Sequence, residues 1–131
     1  MLARSSFDYA IVRVVPRVER AEFVNAGAIL FCRTCRFLAA RIELDARRLA
    51  ALAPWLDLAE VERHLAIIPL VAAGDPAGGS IAQLPMADRF HWLVAPRSAM
   101  IQISPVHSGL CDDPTAALED LLDRLVRLPP R

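Results

Sequence analysis

The sequence predicts an α+β domain, a mainly antiparallel sheet of about five strands (two hairpins) with two to three helices packed on one face. Three observations carry that prediction. Short apolar runs come in pairs separated by turn residues, as hairpins do. Three other segments place apolar residues at helical spacing or behind a helix cap. The resulting order, ββα(α)ββα, implies antiparallel pairing with helices laid against the sheet.

The elements follow in chain order. Tyr9–Val15 is apolar on both faces apart from Arg13, which reads as a strand inside the sheet, ended by Pro16. The charged stretch 17–24 can hold a helical turn, and Asn25-Ala26-Gly27 reads as a turn. Ala28–Cys32 is the second strand. Phe37–Leu44 alternates, with Leu38, Ala40, Ile42 and Leu44 on one side and Phe37, Ala39, Arg41 and Glu43 on the other. That pattern is a half-buried strand, joined to the second by the short turn 33–36.

Asp45 caps a short helix that stops before Pro54. Asp57 caps a second, in which Leu58, Val61, Leu65 and Ile68 recur at helical spacing and Pro69 ends the pattern. The glycine-rich stretch 74–80 matches no phosphate-binding spacing and reads as a linker. Phe90–Ala95 and Met100–Ser104 alternate around Pro96-Arg97-Ser98 and read as a second hairpin, with a helix through Trp92 as the competing assignment. Asp113 and Pro114 open the last helix, whose buried stripe is Leu118, Leu121, Leu122 and Leu125. Asp120–Arg124 and Asp123–Arg127 are favourably ordered i,i+4 pairs.

The 131 residues fit one domain, 1–131. Fifteen basic residues balance fifteen acidic ones, which argues against generic binding to nucleic acid or an anionic membrane. Lysine is absent, so Schiff-base and P-loop lysine chemistry are excluded. The charge is polarised: nine arginines face five acids through Arg48, and six face ten beyond it. Mean hydropathy is +0.35, high enough to suggest apolar surface that a partner covers. No leader-like or membrane-spanning run is visible and the three cysteines are too sparse for a disulfide framework, so the expected compartment is the cytoplasm. No cofactor motif is present.

Four groups could carry chemistry. Cys32, Cys35, His107 and Cys111 hold the ligand types of a zinc site. However, the first pair straddles a hairpin tip and the second lacks a knuckle, so the expectation is no metal. Arg13, on an apolar strand, needs a polar partner if buried; it lies at the strand's end or pairs with Glu22 or Glu43, or else grips a phosphate or carboxylate together with Arg97. The aspartates before the last helix, Asp112 and Asp113, read as caps rather than as part of an anion site. His107 could serve Ser104 or Ser108 as a base, although no spacing establishes a triad. His64 and His91 read as solvent-facing.

Three blocks carry a family resemblance: Tyr9–Pro16 followed by Glu22–Gly27, Phe90–Ser98, and Ser104–Cys111. Through them the chain resembles, over about residues 7–126, the bacterial family catalogued as domain of unknown function 3037. That resemblance implies no established activity. It implies an accessory role beside a HipA-like kinase, and it marks Arg13, Glu22, Asn25, Arg97 and His107 as a candidate surface. The expected function is therefore a non-catalytic accessory or protein-interaction module, partnering itself or such a kinase. The alternative is a small enzyme or ligand binder acting on a phosphate-containing molecule or nucleic acid through Arg13, Arg97 and His107.

Overall fold

The structure is a computed structural model that describes residues 4–96 and 100–130. Five antiparallel strands form the sheet: β1 (Ser5–Val14), β2 (Val24–Cys32), β3 (Phe37–Ile42), β4 (Ile101–Ile103) and β5 (His107–Cys111). The order is β3-β2-β1, with β4 and β5 following one another along the far edge of β1. β4 covers Val12–Val14 and β5 covers Ser5–Tyr9. The helices are α1 (Ala46–Leu52), α2 (Leu58–Ala73), α3 (Met86–Val94) and α4 (Pro114–Leu121), the last continued by a π-helical turn, Leu122–Val126.

The α+β class holds, but the helices lie on both faces of the sheet, not on one. Val12, Val14, Ile29, Phe31, Leu38 and Ala40 join one core with α1, α2 and α3. Phe7, Ile11, Ala28, Leu30 and Cys32 join a second core with Leu118, Leu121, Leu122 and Val126. The reason lies in β1 and β2, whose side chains alternate between faces. Both faces are apolar, so each needs its own cover.

Two capping aspartates behave as the sequence predicts. Asp45 accepts from the amides of Arg47 and Arg48, and Asp57 from those of Ala59 and Glu60. Asp113 likewise accepts from Thr115, with Pro114 in the first turn of α4.

Four assignments are corrected. Phe90–Ala95 is not a strand but most of α3, because Met86, Phe90 and Leu93 fall at helical spacing and pack on the first core. No second hairpin forms among the described residues: β4 and β5 both pair antiparallel with β1, so they run in the same direction, end to end along one edge, separated by residues 104–106. Pro69 lies inside α2: Val71 and Ala72 beyond it are buried, and that burial offsets the backbone hydrogen bond that proline forgoes. Gly74, at φ 70°, caps the helix instead. Asn25-Ala26-Gly27 is not a turn but a bulge within β2, where the register slips between Val12–Gly27 and Arg13–Asn25.

Candidate functional site

The bulge decides what faces what at the end of β1. It sets Arg13 directly opposite Asn25, while Gln102 of β4 lies on Arg13's other side. Directly paired residues share a sheet face, so Asn25, Arg13 and Gln102 form a polar row across three strands. The Arg13 guanidinium sits 4.2 Å over the ring of Phe23. Its Nε is buried without a hydrogen-bond partner, as is Oδ1 of Asn25. The Asn25 amide is oriented by its Nδ2, which donates to the carbonyl of Leu125 at 2.9 Å.

The structure brings Arg13 and Asn25 together; the other candidates take separate partners. Glu22 is bonded to Arg20, and Glu43 to Arg127 and Arg41, so neither acid is the counter-ion foreseen for Arg13. His107 is exposed beside Tyr9, with ring centroids 5.6 Å apart. Tyr9 is four residues from Arg13 along β1, which separates the two backbone positions by about 13 Å. Arg97 lies outside the described residues.

Ser104 is buried, and its hydroxyl is fully engaged. Its Oγ accepts from the amide of Ile11 at 2.8 Å and donates to the carbonyl of Pro105 at 2.9 Å. It therefore repairs the ladder where the edge breaks between β4 and β5, and no hydrogen bond joins it to His107 among the described residues. Ser108 donates to Asp8 at 2.9 Å. The pairing of either serine with a histidine base thus finds no support in the geometry.

An ion-pair network absent from the sequence reading ties the chain's last turn to β3. Arg127 donates to both oxygens of Glu43, each at 2.7 Å, and also to Glu119 at 2.6 Å and Asp123 at 3.1 Å. Arg41 bridges Glu119 and Glu43. The Arg127 hydrogen bond holds the Glu43 carboxyl below its usual range, against the opposing effect of burial. Arg127, then Arg41, does the same for Glu119, and Arg127 itself is held more firmly protonated. Only the local Asp123–Arg127 pair was visible as an i,i+4 spacing; Glu43, just past β3, is 84 residues from Arg127, and Arg41 on β3 is 78 from Glu119.

The cysteines meet at the opposite end of the sheet from Arg13. Cys32 Sγ lies 3.5 Å from the carbonyl of Ser6, Cys35 Sγ lies 3.7 Å from the hydroxyl of Ser5, and Cys111 pairs across the ladder with Ser5. Burial pushes the thiols of Cys32 and Cys111 up. Among the described residues no group of three or more His, Cys, Asp or Glu side chains is placed to hold a metal ion, Cys32, Cys35, His107 and Cys111 included. His107 sits four residues from Cys111 on an extended strand, which carries its imidazole away from the sulfurs.

An open groove of about 510 Å³ runs between β5 and α4, floored by Phe7 and Tyr9 and walled by Gly109, Ala117, Asp120 and Arg124. Of its charged groups, Asp113 caps α4 and Asp120 pairs with Arg124 at 2.9 Å, while Asp112 has only a 3.9 Å contact with Arg4. No sequence signal announced it, because it exists only where α4 crosses the second face. Among the described residues no helix is long and apolar enough to cross a membrane.

No curated protein and no solved structure matches the chain. One family model does match, over residues 9–126, which takes in the Asn25–Arg13–Gln102 row, the β4–β5 edge and α4. By that match the chain belongs to the family described as "Protein of unknown function (DUF3037)".

Proposed function

We propose that this chain is a non-catalytic interaction module that holds an acidic protein partner through the arginine-and-aromatic end of its sheet. The observation that carries the reading is a pair of stacks. Arg17 lies 4.7 Å over the ring of Trp55 and Arg13 lies 4.2 Å over Phe23. Both rings nevertheless remain open to solvent, Trp55 at 56 % and Phe23 at 43 %. Exposed Trp and Phe beside Arg are the residue types that concentrate binding energy at interfaces. Each guanidinium is held on a ring face, and among the described residues no hydrogen bond or ion pair engages its outer nitrogens, which suits it to grip a carboxylate. The partner the family resemblance suggests is a HipA-like kinase encoded nearby.

Binding of that purified kinase, measured by biolayer interferometry, tests the proposal. The expected result is an association that weakens with salt and loses at least about tenfold in affinity in Trp55→Ala. Absence of binding by the wild-type chain, or equal binding by Trp55→Ala and Phe23→Ala, overturns it.

One observation favours a second reading, a ligand site at the same row. The orphaned Nε–H of Arg13 and Oδ1 of Asn25 together suit a group that offers both an acceptor and a donor, as hydrogenphosphate does. An NMR titration with inorganic phosphate tests this reading. It expects saturable shifts of the Arg13 Nε–H and the Asn25 side-chain amide, abolished by Arg13→Gln; unmoved signals dismiss it.

A further inference from the structure

We infer that β5 is the contact edge of a symmetric dimer, its occupant a second copy of this chain docked antiparallel about Ser108. This surface lies at the far end of β1 from Trp55, so the inference goes beyond the function proposed above and stands independently of it.

β5 pairs with β1 on one side only; its other edge has no strand beside it among the described residues. An open edge presents unpaired amides and carbonyls, a ready template for another strand. Natural edges are usually blunted by charge, yet His107–Cys111 contains no acid and no arginine. On one face the edge instead displays Leu110 of β5 at 64 % exposure and, just before the strand, Val106 at 43 %. Pro105 before the strand and Pro114 after Asp113 limit the free edge to a short segment, too short to accept a long foreign strand in many registers.

The sequence of this edge is complementary to itself. Pairing about a two-fold axis at Ser108 sets Val106 against Leu110 of the second copy, and Leu110 against its Val106, burying the four exposed apolar side chains in two matched contacts. On the opposite face the same register sets each His107 against the Gly109 of the other copy, a large ring over a residue with no side chain. Gly109 is glycine for a reason internal to the monomer, since a Cβ there would lie 2.6 Å from the Phe7 ring. The Phe7 ring fills the place a side chain would take, so in this register His107 of the other copy lies over that ring. Registers centred on Val106 or Leu110 lose both matches. An isologous contact needs such self-complementarity; a strand from an unrelated partner gives no reason for it.

The register makes a covalent test available. Directly opposed residues of antiparallel strands have Cα atoms about 4.5 or 5.5 Å apart, within the reach of a disulfide. In a Cys35→Ser background, which removes the exposed thiol, Ser108→Cys is treated with oxidised glutathione: two thiols give one intermolecular disulfide and two reduced glutathiones. The expected outcome is a covalent dimer, formed at least about tenfold faster than by Thr34→Cys, an exposed turn position used as the control. Leu110→Arg, at an exposed site where folding is not at stake, is expected to abolish the noncovalent dimer seen by sedimentation between about 10 and 500 µM, the range expected of a small contact. Equal cross-linking at Thr34, faster cross-linking of Val106→Cys or Leu110→Cys alone than of Ser108→Cys, or a wild-type monomer throughout that range overturns the inference.

Discussion

Arg127 holds Glu43 through two parallel hydrogen bonds, Nε to Oε1 and Nη2 to Oε2, both at 2.7 Å. This clasp fastens the π-helical end of the chain to the edge of β3, 84 residues away. It closes the second core at the point where α4 leaves the sheet.

Glu43→Gln keeps the shape and removes the charge, so it is expected to cost about 1 kcal/mol, the scale of a bidentate pair that is partly exposed. The pH dependence follows from the downward shifts of Glu43 and Glu119. A carboxyl whose folded value is depressed contributes stability that is present above its unfolded value, about 4.3, and is lost as pH falls through the lower folded value. Thermal unfolding of wild type and Glu43→Gln is therefore expected to differ at pH 7 and to converge below about pH 4. A gap that persists unchanged into acid contradicts this account.

Ser104→Ala strands the buried amide of Ile11, whose partner is the serine hydroxyl. The expected loss is about 1 to 3 kcal/mol, the cost of a buried donor left without an acceptor. Denaturant unfolding measures it, and Ser104→Thr, which keeps the hydroxyl, is expected to recover part of the loss. A neutral Ser104→Ala shows that the edge break needs no repair.

Gly27→Ala is expected to be destabilising by about 1 to 3 kcal/mol through overpacking. The new Cβ would lie 2.5 Å from the carbonyl oxygen of Arg41 and 3.2 Å from the Cα of Ile42, both backbone atoms of the neighbouring segment that cannot step aside. Calorimetry comparing this variant with Ala26→Gly separates the steric effect from simple bulge flexibility. A wild-type melting temperature in Gly27→Ala means β3 can move away from β2.

The thiols are expected to react unequally. Cys35 is exposed, whereas Cys32 and Cys111 are buried with raised thiol pKa values. Iodoacetamide at pH 8 should add one group per folded chain, on Cys35, and three after unfolding. Rapid triple labelling of the native protein would show that the cysteine end of the sheet opens. Elemental analysis alongside is expected to find no stoichiometric zinc; one zinc per chain with sulfur coordination reverses that reading.

The sequence by itself determined what local physics writes into it. Asp45, Asp57 and Asp113 are caps because a short acceptor beside free amides is a local arrangement, β1 and β2 follow from continuous apolar runs, and β3 follows from apolar alternation. The α+β class and the single arginine that breaks the apolar run of β1 were legible for the same reason. Only the tertiary structure decided the rest. Phe90 and Trp92 fit a strand or a helix until Phe90 and Leu93 find a common core, and Pro69 ends a pattern but not a helix whose next turn is buried. The placement of α4 on the second face, the Glu43–Arg127 clasp and the opposition of Arg13 to Asn25 all join residues distant in sequence. The last of these depends on a one-residue slip in register, and such a slip reverses which face every later side chain meets.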